Sequence, residues 1–561
     1  MNLWNWKESI VYEVYPRSFM DSGGDGIGDL PGMISRLDHI QELGADVVWI
    51  TPVYPSPNAD YGYDISDYCA IAPEYGTMED WEELRDSLNR RGMKLMMDLV
   101  LNHTSDEHPW FREARKSRDN PYRDYYIWRD PGKDGGPPNN WTSYLGGSAW
   151  EWESETKQYY LHIYGRKQPD LNWDNPKVRA EMHAVMEFWL EKGVDAFRID
   201  AANILSKDPS FSDTDSDKKQ GAGEEYYRNG VHIHDYYQEM HREVLSRYPV
   251  VTAGETAKVS PEDAERYTAP GRREMNMILM IEASKVAEGD DDLWYLKPWN
   301  LADLKGIIKK WQTELEEGWI GLYFSNHDHP RLVSYLGDAG KWRRESASML
   351  AVLALSLRGT PFIYQGDEIG MTNSGHFARI EDFKEQQALE YYRLETENGA
   401  AEDEVLAKLL PASRDQARTP MQWEDGEGAG FTTGTPWIGQ NPNADEINVG
   451  RALADPDSVF AFYKKMIRLR KETPALVYGS YEPLLEPHPR IFAYLRALGS
   501  ERLLVVLNFS KEESELDLPA MGGTEETGSF TLLIGNYPDL AEGAELPRHL
   551  RPYEALVFRM T

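Results

Sequence analysis

The chain has 561 residues, is 41% hydrophobic with 18 Trp and 32 Tyr, and carries a net charge of −34. That composition excludes disorder, the length exceeds what one simple core fills, and the charge repels nucleic acid and anionic membrane. The single cysteine, Cys69, excludes an internal disulfide framework and fits a reducing compartment. The N-terminus lacks an apolar signal region and no stretch supplies about 18 consecutive apolar residues, so a soluble, cytoplasmic protein is expected.

Residues 10–15 alternate as a strand does. A glycine-rich acidic loop follows at 21–29, with Asp21, Asp25 and Asp29 spaced four apart. Such carboxylates can wrap a hard cation, so a structural Ca²⁺ or Mg²⁺ is expected. The loop is like the first half of an EF-hand, but Gly32 stands where the bidentate Glu belongs, and a plain acidic turn is the alternative.

Further strands are expected at 46–50, 94–100, 193–200, 249–255, 275–281, 321–325 and 360–364. Charged amphipathic segments lie between them at 77–91, 176–192, 235–247, 301–317 and 344–357. Eight such strand–helix units define an α/β fold, the (β/α)8 TIM barrel. Residues 104–173, rich in Trp, Tyr, Asn, Gly and Pro, are too long for a loop and read as an inserted subdomain after the third strand. Residues 373–412 read as a charged helical excursion. Beyond 480, alternating segments at 490–496, 502–508, 529–534 and 553–559 predict a C-terminal antiparallel β-sandwich domain. The expected division is a barrel of 1–103 with 174–480, an insertion of 104–173 and a C-terminal domain of 481–561.

The stretch 193–200 organises the rest. On a strand, Ala196, Arg198 and Asp200 share one face and Phe197 and Ile199 the other, with Arg198 and Asp200 about 6–7 Å apart. A charged face on a buried strand is costly unless it does chemistry or forms a structural ion pair. His103 follows the third strand, Asp200 ends the fourth, Glu255 the fifth, and His327 and Asp328 the seventh. In such barrels reactive groups gather at the C-terminal strand ends. Clustered carboxylates push their pKa values apart, which suits glycoside hydrolysis, where an acid and a carboxylate act together. A divalent-metal site for phosphoryl transfer is the rival reading, weakened by Arg198, which already compensates the acids.

The blocks at 98–103, 193–200, 254–255 and 325–328 resemble those of the α-amylase family of retaining glycoside hydrolases, and the resemblance extends over essentially the whole chain. The segments 12–19, 168–173, 364–373 and 414–423 narrow it to the oligosaccharide-cleaving α-glucosidase branch. The resemblance implies that Asp200 is the nucleophile, Glu255 the general acid and then base, and Asp328 the group that holds the sugar hydroxyls. Retention implies an Asp200–Glu255 separation of about 5–5.5 Å. Arg198 keeps Asp200 ionised, His103 and His327 bond the glucose, and Asp60 with Arg414 closes the pocket on the terminal hydroxyls, which makes the enzyme exo-acting. Tyr63, Tyr164 and Gln168 are expected pocket walls, with plain packing the alternative for the two tyrosines.

Linkage preference is read from departures. Relatives that cut α-1,6 bonds usually carry Val where Ala201 stands, Met is usual at Thr256, and a lysine at Leu293. All three lean toward α-1,4 substrates such as maltose, with transfer of glucose to sugar acceptors. An oligo-1,6-glucosidase or trehalose-6-phosphate hydrolase is the alternative, and a non-catalytic scaffold a remote one. In the metal loop, Gly23 replaces the usual Asn, which leaves Asp21, Asp25, Asp29 and the Ile27 carbonyl as ligands. No catalytic cofactor is expected, the partners are small oligosaccharides, and the state is a monomer or weak homodimer.

Overall fold

The computed structural model describes residues 3–289, 294–516, 529–540 and 543–560. The expectation at Leu293 lies outside the described residues. In chain order the first strands are β1 (Val11–Val14), β2 (Val47–Ile50) and β3 (Lys94–Val100). The insertion carries β4 (Trp128–Arg129), β5 (Trp150–Glu153) and β6 (Gln158–Leu161), a small antiparallel sheet with β6 in the middle. Then come β7 (Ala196–Asp200), β8 (Val251–Gly254), β9 (Met277–Leu279), β10 (Ile320–Tyr323) and β11 (Thr360–Tyr364).

Strands β1, β2, β3, β7, β8, β9, β10 and β11 close a parallel barrel, as the repeating pattern predicts. Near-continuous apolar runs form these strands because both faces are covered. Val11, Trp49, Met96, Ala196, Ala253 and Phe362 fill the interior, while Tyr12, Val48, Met97, Phe197 and Ile199 pack outward under the helices. Period-two alternation therefore carries Arg198 and Asp98 into the barrel, where they are paired across β3 and β7.

Helices run over Met78–Arg90, Pro176–Glu191, Ile233–Glu243, Leu301–Glu314 and Arg343–Ser356. Thr77 and Asp80 form a capping box at the first, and Asn175 and Asn300 accept from backbone N–H groups at the second and fourth. The helix expected to reach 317 stops at Glu314 because the Glu265 carboxylate takes the N–H groups of Glu316, Glu317 and Gly318. Within 373–412, Gln386–Glu397 and Glu402–Ala412 are helices that bury Ala388, Val405 and Leu409 against Phe377, Phe383 and Trp294.

The C-terminal strands are β12 (Ser480–Leu484), β13 (Ile491–Leu498), β14 (Glu501–Asn508), β15 (Ser514–Glu515), β16 (Phe530–Gly535), β17 (His549–Leu550) and β18 (Ala555–Met560). Five form an antiparallel sheet ordered β12-β13-β14-β18-β16, and β15 pairs with β17. Strand β12 lies at the edge of the sheet, a position that tolerates Pro483.

Candidate active site

Arg198 is fully buried and its guanidinium serves three acids. Nη1 lies 2.9 Å from Asp98 Oδ1 and 2.7 Å from Asp200 Oδ1, and Nη2 lies 2.7 Å from Glu255 Oε2. The backbone holds the last two together, since Glu255 N–H donates to the Ile199 carbonyl and Ala202 N–H to that of Glu255. Burial pushes the Asp98 and Asp200 carboxyls up, Asp98 to about 6, and Arg198 opposes both shifts. Asp98 and Asp200 both hold a proton more readily than a free carboxyl does.

Asp328 lies across the pocket from this cluster, on the loop after β10. Arg418 Nη2 approaches its Oδ1 to 2.7 Å and Arg414 Nη1 to 3.3 Å. Burial alone would raise this pKa, but the permanent cations Arg414 and Arg418 oppose it, and the carboxyl lies well below the usual range. Arg414 also reaches Glu385 at 2.9 Å and Asp60 at 3.4 Å. Gln168 donates to Asp60 Oδ2 at 3.0 Å and lies 3.1 Å from His103 Nε2. Burial lowers the His103 pKa and leaves the ring neutral. Thus Asp60, Gln168, His103 and Arg414 form one wall, and Tyr164 stands 5.3 Å from the His103 ring.

Tyr63 and His327 lie beneath. Their rings stack at 5.4 Å, His327 Nε2 is 2.8 Å from the Tyr63 hydroxyl, and that hydroxyl donates to Asp98 Oδ2. Ala201 sits between nucleophile and acid, its N–H 3.3 Å from Glu255 Oε2 and its φ at 47°, a left-handed conformation that costs a β-branched residue most. It packs with Trp141, Ile204, Tyr227 and Tyr164. Thr256 is buried, and among the described residues its hydroxyl has no hydrogen-bond partner.

Four further side chains complete the site. Asp98 was legible as a lone acid in the apolar run 94–100, and Arg418 as the i+4 neighbour of Arg414. Lys207, bound to Asp170 at 2.7 Å and Asn102 at 2.6 Å, braces the segment that carries His103. Glu385, from the helical excursion, gives no signal of its own.

The acidic loop is held by hydrogen bonds to its own carboxylates. Asp21 accepts from Gly24 N–H, Gly26 N–H and the Thr432 hydroxyl. Asp29 accepts from Ser22, Gly23 and Gly32, and Asp25 turns to the Ile27 N–H. Among the described residues no group of three or more His, Cys, Asp or Glu is arranged to hold a metal ion. In this arrangement the carboxylates of Asp21, Asp25 and Asp29 accept from backbone and hydroxyl donors of the loop itself.

The chain belongs to the α-amylase family: residues 13–479 match the alpha amylase catalytic domain. Residues 481–557 match the maltogenic amylase C-terminal domain. It is 54% identical to an oligo-1,6-glucosidase of Parageobacillus thermoglucosidasius over 99% of both chains. It is 44% identical to a trehalose-6-phosphate hydrolase of Bacillus subtilis, over 99% of this chain and 98% of that one. Among solved structures, a trehalose-6-phosphate hydrolase of Bacillus licheniformis superimposes with a TM-score of 0.95 at 46% identity, covering 100% of both chains. The chain is a glycoside hydrolase. No helix among the described residues is long and apolar enough to cross a membrane.

Proposed function

We propose that this enzyme is a retaining, exo-acting α-glucosidase that removes glucose from the non-reducing end of short α-1,4-linked oligosaccharides such as maltose and maltotriose. The observation that carries this reading is the single guanidinium that holds Asp200 and Glu255 side by side. Glu255, whose side chain is 24% exposed, gives its proton to the glycosidic oxygen while Asp200 attacks the anomeric carbon and forms a β-glucosyl ester. As the leaving sugar departs, Glu255 becomes a carboxylate and takes a proton from water, whose oxygen releases α-glucose. A sugar hydroxyl in place of water gives transglucosylation. Asp328, kept ionised by Arg414 and Arg418, accepts hydrogen bonds from ring hydroxyls. The Asp60–Arg414 pair shuts the far end, which supports removal of one residue at a time. The reaction needs no cofactor, and the compartment proposed is the cytoplasm.

For linkage, the small Ala201, at a left-handed φ of 47° between nucleophile and acid, supports the α-1,4 reading, because relatives that cut α-1,6 bonds usually carry a branched valine there. The relatives' names favour a second reading, an oligo-1,6-glucosidase or trehalose-6-phosphate hydrolase. Glucose release from maltose, isomaltose and trehalose 6-phosphate at equal concentration decides. A tenfold lead for maltose, about 1.4 kcal/mol of transition-state preference, is expected. A lead for isomaltose or the phosphorylated sugar assigns the enzyme to the second reading.

A further inference from the structure

Under the pocket floor, a buried acid that takes no part in the mechanism above touches the imidazole of His327. Glu13, on β1, faces the barrel interior with no exposed surface, and its Oε1 lies 2.6 Å from His327 Nδ1. The rings of Tyr15 and Tyr63 lie nearly parallel to the imidazole, with centroids 6.0 Å and 5.4 Å from it. From Nε2 a continuous path runs through the Tyr63 hydroxyl, Asp98 and Arg198 to Asp200 and Glu255.

Counting protons along this path fixes the state of each group. Tyr63 has one proton and gives it to Asp98 Oδ2 at 3.0 Å, so its oxygen meets His327 Nε2 as an acceptor. Asp328 Oδ2, from an ionised carboxylate, stands 3.3 Å from the same nitrogen. Both contacts place the ring proton on Nε2, because a lone pair there would face two oxygens. Nδ1 of the neutral ring is then an acceptor 2.6 Å from Glu13, and the carboxylic acid O–H is the donor that satisfies it.

The competing state is an imidazolium beside a carboxylate. It would bury two charges with Glu13 Oε2 left without a hydrogen-bond partner. Arg198 and the His327 backbone N–H, which donates to the same Oε1 at 3.4 Å, favour that ionised Glu13, while Asp328 and Asp98 oppose it, and the nearby phenols of Tyr323 and Tyr364 are neutral. Burial dominates: it holds the Glu13 carboxyl well above the usual range and lowers the His327 pKa to about 3.

We infer that Glu13 is a positioning residue: as a neutral acid it donates to His327 Nδ1 and locks the imidazole in the Nε2–H tautomer that faces Asp328 and the sugar pocket. The inference rests on the glycosidase reading for its activity readout only, since a tautomer can be observed without substrate.

The test uses the whole chain and two variants. Glu13→Gln keeps a donor, because the amide N–H replaces the acid O–H, whereas Glu13→Leu keeps none. Glu13→Gln should retain kcat/KM within about threefold, with both limbs of its pH profile in place, and Glu13→Leu should lose kcat by about tenfold or more. Histidine ¹⁵N spectra, with His327 assigned by its loss in His327→Gln, should show a neutral Nε2–H ring in the parent and in Glu13→Gln. An imidazolium signal in the parent, a limb displaced by about half a unit or more in Glu13→Gln, or two kinetically silent variants would overturn the inference. If Glu13→Leu does not fold, Glu13→Gln and the spectra decide it. Loss of all glycosidase activity in the parent would sink the functional reading and leave the tautomer result standing.

Discussion

Asp98 and Arg198 face each other at paired positions of β3 and β7, with Asp98 Oδ1 2.9 Å from Arg198 Nη1. The pairing leaves the rest of the guanidinium free to hold Asp200 and Glu255, so the cation is anchored from below and works from above. Lys cannot reproduce that fork. Arg198→Lys should lose about a hundredfold in kcat, ~2.7 kcal/mol of transition-state stabilisation, in steady-state assays on any accepted disaccharide. Near-parental turnover would mean that a point charge suffices.

Asp200→Asn separates chemistry from folding. Burial raises the Asp200 pKa, so ionised Asp200 is a cost to the fold at neutral pH that an amide removes. Turnover should fall by about four orders of magnitude while Tm stays level or rises. A lowered Tm with a comparable loss of activity would point to a structural ion pair instead.

Asp98 gives a pH signature. Its folded pKa of about 6 lies above the unfolded value near 3.9, so the protonated acid is favoured in the fold. Its stabilising contribution is complete below about pH 4 and is lost as pH rises through about 6. In Asp98→Asn the slope of Tm against pH between about 4 and 6 should be more positive than in the parent, and an unchanged slope would show that Asp98 does not titrate there.

Arg418 is fully buried and 2.7 Å from Asp328. Removing one partner of such a pair leaves a charge uncompensated, so Arg418→Met should destabilise by about 3–5 kcal/mol in denaturant unfolding. Arg418→Lys, which keeps the charge, should fold and show a raised KM. If Arg418→Met keeps the parental midpoint, the ion pair is not what holds Asp328.

The acidic loop at 21–29 predicts indifference to chelation. Asp21 and Asp29 already accept from backbone donors, so Tm in EDTA should match Tm in calcium. A rise of more than about 3 °C in calcium would show that the loop exchanges those bonds for a metal.

The barrel was legible because buried parallel strands leave apolar runs that helices punctuate, and the polar residues His103, Asp200, Glu255 and Asp328 stood out where each run stops. Asp98 carries the same signal inside a strand, as one acid among Leu95, Met96, Met97 and Leu99. Glu385 carries none, because its place beside Arg414 depends on how the 373–412 excursion folds back, a long-range arrangement without a local period. The loop at 21–29 shows the limit of spacing arguments. Three aspartates four apart suit a cation or their own backbone equally well, and spacing alone does not distinguish the two. Strand β12 alternates only briefly, with Tyr481 buried between exposed Ser480 and Glu482, and Pro483 then cuts short a run of five residues.

The catalytic roles of Asp200 and Glu255 stand or fall on retention. ¹H NMR of the first glucose released, recorded before mutarotation, measures it directly on maltose or isomaltose. Two displacements, through the ester on Asp200, predict that the α anomer appears first and the β anomer only as the sugar equilibrates. Initial release of β-glucose would mean a single displacement by water, and would contradict Asp200 as nucleophile and Glu255 as acid and then base.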